Sequence, residues 1–272
     1  MSVAGKVVVI TGSTRGIGRS IAEACAGAGA HVVVSSRTPE AVEGAVADIA
    51  TADGGSVCGI ACDVSDPARL QALFDFAIAR YGHIDVWLNN AGVSEGYRPL
   101  DELSGAEIRS LVDINLTGTM LACRLLVPYF REHGGLLMNV TGRGYRGEAT
   151  PYTAAYAATK VAIASLTRSI AKENARFPMS IHALVPGMVA TDFYRDIKVS
   201  PRLQTTKHNW RYALDAFGVP LDRVGVETVS LLGQEPGRVT GKVYSLITPA
   251  RTVRGILKIM GHRASGMLKA ED

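Results

Sequence analysis

The sequence of 272 residues has no CxxC pair and no dense set of cysteines. Its four thiols, Cys25, Cys58, Cys62 and Cys123, have no histidine cluster beside them. That excludes a disulfide framework and argues against a metal site; the expected role is buried thiols packed as small apolar groups, with no metal bound. No Lys/Arg run interleaved with aromatics occurs, so the net charge of +4 predicts no nucleic-acid partner. No apolar run is read as reaching the ~18 residues that cross a bilayer, so no integral membrane segment is expected. The N-terminus lacks a signal-peptide pattern, because an apolar strand starts at once, Lys6 to Thr11. These absences predict a reduced, soluble, cytoplasmic protein. Repeats, low-complexity tracts and Pro/Gly/Ser-rich linkers are also missing. One domain over residues 1–248 is therefore expected, followed by a helical extension over 249–272.

What is present is an ordinary globular composition, 47% apolar and 20% charged. Short β-branched runs alternate with longer segments of helical period, which predicts βαβ units, an α/β fold and a parallel sheet. The expected strands are 7–11, 31–36, 56–63, 84–90, 135–140, 180–185 and 243–247. Their runs are continuous rather than alternating, as suits strands covered on both faces. A helix is expected over 68–82. A long one is expected over 106–132, bent or interrupted near Pro128, and another over 155–175. Residues 187–220 show no clean period and read as a mobile, substrate-facing lid with short helices. Tyr194, Trp210, Tyr212 and Phe217 are its candidate pocket walls.

After the first strand comes TGSTRGIG, in which Gly12, Gly16 and Gly18 precede a helical run. Glycines there permit positive φ and let the backbone approach a pyrophosphate, while the next helix aims its free N–H groups at the phosphates. Ser13, Thr14, Arg15 and Ile17 complete this candidate cradle. Dinucleotide folds commonly carry a carboxylate at the end of the second strand to bind the adenosine ribose. Here that place holds Ser35, Ser36 and Arg37. A carboxylate would repel a 2′-phosphate, whereas Arg37, Ser36 and the nearby Arg15 would attract it. NADP(H) is accordingly expected in preference to NAD(H).

Tyr156 and Lys160 lie four apart in YAATK and share a helix face. A free tyrosine, with a pKa near 10, is a poor proton shuttle at neutral pH. A neighbouring ammonium favours its phenolate and makes it a usable acid/base.

TGSTRGIG, NNAG (89–92), Asn115, YAATK and PGMVAT (186–191) occur together in an order and spacing that resemble the short-chain dehydrogenase/reductase family. The likeness is strong over roughly residues 5–191. It implies a single Rossmann-type doubly wound domain with a seven-stranded parallel sheet and a dimer or tetramer built partly on helices 106–132 and 155–175. It also implies that hydride passes between nicotinamide and a carbonyl or alcohol substrate. Tyr156 would then be the general acid, and Lys160 would tune it and bind the nicotinamide ribose. Asn115 would hold a relay water, or simply stitch its helix to the NNAG segment. Asn90, Ala91 and Gly92 would line the cofactor, Asp63 and Val64 would meet the adenine, and Pro186, Gly187, Val189 and Thr191 would border the nicotinamide.

One element of that pattern is missing. Most members of the family carry a serine at the end of the fifth strand, and here that position falls on Gly142. Either Thr141 supplies the hydroxyl after a local backbone shift, or the site works without it, or it does not catalyse and the chain is an NADP(H) sensor or scaffold. Adjacent strand residues point to opposite faces, which counts against a simple one-residue exchange. Residues 139–144 with Thr150, Pro151, Ala155 and Tyr156 are similar to the chlorophyll b reductase branch, which implies a large, flat or polycyclic carbonyl substrate. In the tail, Val253, Ile256, Leu257 and Met260 form an apolar stripe beside Arg251, Arg254, Lys258 and Arg263. This suits a helix folded on its own subunit or across a dimer, or one on a membrane surface.

Overall fold

The computed structural model describes residues 2–52, 54–191 and 197–268, with the backbone alone at 204–207. Seven strands form one sheet: β1 (Val7–Thr11), β2 (His31–Ser36), β3 (Ser56–Ala61), β4 (Val86–Asn89), β5 (Gly135–Val140), β6 (Met179–Val185) and β7 (Val243–Ser245). All pairings are parallel, in the order β3-β2-β1-β4-β5-β6-β7. Strand β1 shows why its run is uniformly apolar. Val8 and Ile10 enter one core cluster and Val9 enters the other, on the opposite face.

The first cluster is closed by α1 (Gly16–Gly27), α2 (Pro39–Asp48) and α8 (Leu221–Leu232). The second is closed by α3 (Pro67–Tyr81) and α5 (Gly118–His133), with Ala171 of α6 (Ala154–Glu173). The chain runs outward from β1 to β2 and β3, then returns to place β4 on the other side of β1. Connections leaving β1 and β4 therefore diverge, and a crevice opens above the carboxyl ends of these two strands.

Three expectations are corrected. Strands 56–63, 84–90 and 243–247 are shorter, the first ending at Ala61, the second spanning Val86–Asn89 and the last ending at Ser245. The long helix is not interrupted at Pro128. Helix α4 (Gly105–Val112) passes through a π-helical turn, Asp113–Thr117, directly into α5, which contains Pro128. Pro128 is exposed, so water can satisfy the carbonyl that its missing N–H leaves free. The lid region contains one long helix, α7 (Gln204–Phe217), and the tail forms α9 (Pro249–Ala264).

By length and composition Gly105–His133 could cross a bilayer, against the expectation that no segment would qualify. In this fold its Leu126 and Phe130 lie fully buried in the cluster that contains Trp87.

Candidate active site

Gly12 takes φ +63°, and a Cβ there would lie 2.8 Å from the Ala91 Cα. A Cβ on Gly18 would collide with the Asn90 side-chain nitrogen and the Gly12 carbonyl. Asn90 causes this tightness: its Nδ2 donates to the carbonyls of Thr11 and Gly12, both at 2.9 Å. The Thr11 hydroxyl accepts from the N–H groups of Asn90 and Ala91. The loop after β1 is thus laced to the end of β4. Helix α1 follows at once, with Arg15 at its N-cap and no side-chain cap on its first turn. Close backbone approach and uncapped N–H groups fit a pyrophosphate.

Ser13 braces the loop against β2, since its hydroxyl donates to the Ile10 carbonyl and accepts from the Ser35 N–H. Thr14 in the same loop and Ile17 in the first turn of α1 are half-buried, and Ser36 is half-buried at the end of β2. Arg15 and Arg37 are both exposed and line one cavity of about 600 Å³, together with Gly92 and Glu95. Asp63 accepts from the hydroxyl and the N–H of Ser65, which with the charge of Arg37 hold its carboxyl below the usual range. Val64 and Val189 are core residues, while Pro186 is buried and Gly187 takes φ +89°. Thr191 arrives over the loop: a Cβ on Gly16 would lie 3.6 Å from it.

Tyr156 is the third residue of α6, and Lys160, one turn on, puts its Nζ 5.3 Å from the tyrosine ring centre. The Lys160 ammonium is buried and donates to the Val140 carbonyl at 3.0 Å. Desolvation lowers its pKa from 10.5 to about 8. The unfolded chain keeps this proton up to about pH 10.5, so stability should rise with pH between about 8 and 10.5, and the full burial penalty applies below 8. Lys160→Met should therefore raise stability near pH 7 by on the order of 2 kcal/mol, after the lost hydrogen bond is counted, and flatten that pH dependence. Thermal unfolding of both proteins near pH 7 and near pH 10 checks this. A variant less stable than the parent at neutral pH would contradict it.

Asn115 sits in the π-helical turn. Its Oδ1 accepts from the Val93 N–H at 2.8 Å, and its Nδ2 donates to the Val93 carbonyl at 2.9 Å and to Thr159 Oγ1 at 3.3 Å. The side chain stitches the segment after NNAG to α6. A Cβ on Gly92 would lie 3.2 Å from Asn115 Oδ1 and 3.7 Å from Lys160 Nζ, so these residues do converge.

Thr141 does not. It is 1% exposed and donates its hydroxyl to the Lys160 carbonyl at 2.7 Å, so the expected shift toward the site is not seen. Gly142 instead faces the tyrosine, and a Cβ there would lie 3.0 Å from the Tyr156 hydroxyl.

Sequence reasoning missed Glu95. It is 6% exposed, and its Oε1 accepts the Tyr156 N–H at 2.9 Å, capping α6 where Thr153 makes no side-chain cap. The partners lie sixty-one residues apart, and no local pattern could have linked them. A second unread feature is an aromatic group. Tyr97 meets Tyr152 at 5.2 Å and Trp210 at 5.6 Å between ring centres. Tyr152 holds a left-handed backbone, φ 66°, just before α6. Of the other candidate walls, Phe217 and Tyr212 contact α9, at Gly255 and His262 respectively, and Tyr194 lies outside the described residues.

A family profile described as short chain dehydrogenase matches residues 6–201. Chlorophyll(ide) b reductase NOL of Oryza sativa subsp. japonica is 41% identical over 192 residues, which are 68% of this chain and 56% of that protein. The chain thus spans little more than half of that relative's length. 3beta-hydroxysteroid dehydrogenase 1 of Eggerthella lenta is 31% identical over 241 residues, covering 87% of this chain and 90% of that one. Among solved structures, a 3-ketoacyl-(acyl-carrier-protein) reductase from Brucella melitensis complexed with NADH superposes with a TM-score of 0.80 at 26% identity, over 92% of this chain and 100% of that one. With the parallel sheet, the glycine loop and the paired Tyr156 and Lys160 in hand, the conclusion is direct: the chain belongs to the short-chain dehydrogenase family of oxidoreductases.

Proposed function

We propose that the chain is an NADPH-dependent carbonyl reductase or alcohol dehydrogenase in which Tyr156 handles the proton. The observation that carries this reading is the pair itself: a buried ammonium one helical turn from the tyrosine, close to Gly92 in the segment after β4. When bound, the nicotinamide supplies or accepts the hydride. Gly12 to Gly18 and the start of α1 would hold the pyrophosphate, Asp63 and Val64 would border the adenine, and Asn90 to Gly92 with Pro186, Gly187, Val189 and Thr191 would border the rest. In reduction the Tyr156 hydroxyl gives its proton to the carbonyl oxygen, and the Lys160 charge steadies the phenolate left behind. Asn115 keeps α6 and the NNAG segment in register, and a water beside it would return the proton from solvent.

Preference for NADPH rests on Arg15 and Arg37 lining one cavity, with no carboxylate at the end of β2. A cation against a 2′-phosphate makes a charge-assisted contact. Wild-type kcat/KM should favour NADPH over NADH by roughly tenfold or more, and Arg37→Ala should remove most of that ratio. Steady-state rates over a panel of ketones, aldehydes and quinones test both halves of the reading. Equal dissociation constants for the two cofactors would sink the preference.

The substrate we favour is large and flat. Tyr97, Tyr152 and Trp210 form an aromatic cluster next to the start of α6, and Gly142 has no side chain beside the tyrosine hydroxyl. Two of the similar proteins are named for ring systems, a chlorophyll(ide) and a hydroxysteroid. A cytoplasmic location and assembly as a dimer or tetramer through 106–132 and 155–175 complete the reading; Val112 and Met120 are exposed on the first of these segments. Gly142 also supports a second reading, an NADP(H)-binding sensor without efficient turnover, because the usual serine hydroxyl has no substitute in Thr141. Cofactor binding with no turnover across the panel would favour it.

A further inference from the structure

Helix α9 turns its apolar side outward. Its inner face is docked firmly: Gly255 packs on Phe217, Lys258 and His262 both reach Asp215, at 2.9 and 3.1 Å, and Arg251 reaches Glu227 at 3.0 Å. At 100° per residue, Val253, Ile256, Leu257 and Met260 fall on one stripe opposite Gly255. These four side chains are 49–63% exposed. Arg254 and Arg263 stand at the two margins of the stripe, both exposed and neither meeting a carboxylate among the described residues. Helix α9 contains no Asp or Glu. The carboxylates that reach it, Asp215 and Glu227, are both spent on the docked face. Ile247 and Met267, before and after the helix, are also exposed.

An apolar stripe whose charged margins, among the described residues, are cations selects its occupant. A second copy would set arginine margins against arginine margins, and like charges repel. An anionic lipid surface matches on both counts. Its acyl boundary accepts the stripe, and its phosphates accept the guanidinium groups at the margins. We propose that the outward face of α9 is a docking surface for anionic phospholipid, which holds the protein peripherally on a membrane with α9 in the interfacial plane. The ion pairs to Asp215 and Glu227 keep the helix fixed to the body, so the stripe is presented rather than folded away.

The test is sedimentation of the full chain with vesicles, read as bound protein and independent of catalysis. Vesicles of phosphatidylcholine with roughly one third phosphatidylserine should carry the protein down, and phosphatidylcholine alone should carry much less. Arg254→Gln with Arg263→Gln should weaken binding to the mixed vesicles by roughly 25-fold, about fivefold for each charge. Leu257→Ser and Met260→Ser should each cost roughly tenfold. All four sites are exposed, so thermal unfolding should be unchanged. Absence of binding to mixed vesicles would overturn the proposal. So would unaltered vesicle binding by the serine variants with a changed mass in light scattering, which would assign the face to a protein partner.

Discussion

Tyr156→Phe should lower kcat by roughly 10³-fold or more while leaving the affinity for NADPH within a few-fold of the parent. The variant removes one oxygen and keeps the ring that lies 5.3 Å from the Lys160 ammonium. It also keeps the backbone N–H that Glu95 accepts, so the start of α6 stays capped. A fall in kcat with unchanged cofactor binding therefore isolates proton transfer, the one step only the hydroxyl can perform. If the rate survived, the proton would have to come from elsewhere. Thr141 is a poor candidate, since its hydroxyl is committed to the Lys160 carbonyl inside the protein.

Two alanine substitutions on α1 should have opposite effects. Gly18→Ala forces a methyl group into the Asn90 side chain and the Gly12 carbonyl. The carbonyl is backbone, and Asn90 is held by two hydrogen bonds, so neither can yield cheaply. Stability should fall by about 2–3 kcal/mol, as for other overpacked sites, and the phosphate cradle should be displaced. Displacement on the order of 1 Å commonly costs a hundredfold, so NADPH affinity should fall by roughly that factor. Gly27, on the same helix, has open space where its Cβ would be. Gly27→Ala should instead stabilise by about 0.5–1 kcal/mol, through the smaller entropy of its unfolded chain, with NADPH affinity unchanged. Chemical denaturation and NADPH titration of the pair separate steric closure of the cradle from any general effect on the helix. Equal behaviour of the two variants would remove the cradle argument.

Much of this is legible in the one-dimensional pattern because the forces concerned are local or periodic. Buried parallel strands must be apolar on both faces, so runs such as Val7–Thr11 announce themselves, and all seven strands fall within two residues of their expected bounds at each end. Glycines at a strand-to-helix turn and a Tyr/Lys pair one helical turn apart are likewise short-range statements. The π-helical turn at Asp113–Thr117 is not legible. Its cause is the fit of Asn115 to Val93 and of Gly118 against Val64, contacts between segments distant in sequence. Pro128 carries a stronger local signal and misleads, because exposure lets water replace the hydrogen bond it removes.

The same division runs through the site. Composition and motif set out the sheet, the phosphate loop and the two residues of the proton-handling pair, since each depends on residue type and spacing along one segment. Which way Thr141 points, that Glu95 caps the tyrosine's helix, that Gly142 faces the tyrosine hydroxyl and that the stripe of α9 looks outward depend on how separate segments pack. Side-chain direction at a strand end, and the face a helix buries, are decided by what stands opposite, and the partner lies on another element, from 19 residues away for Thr141 to 61 for Glu95.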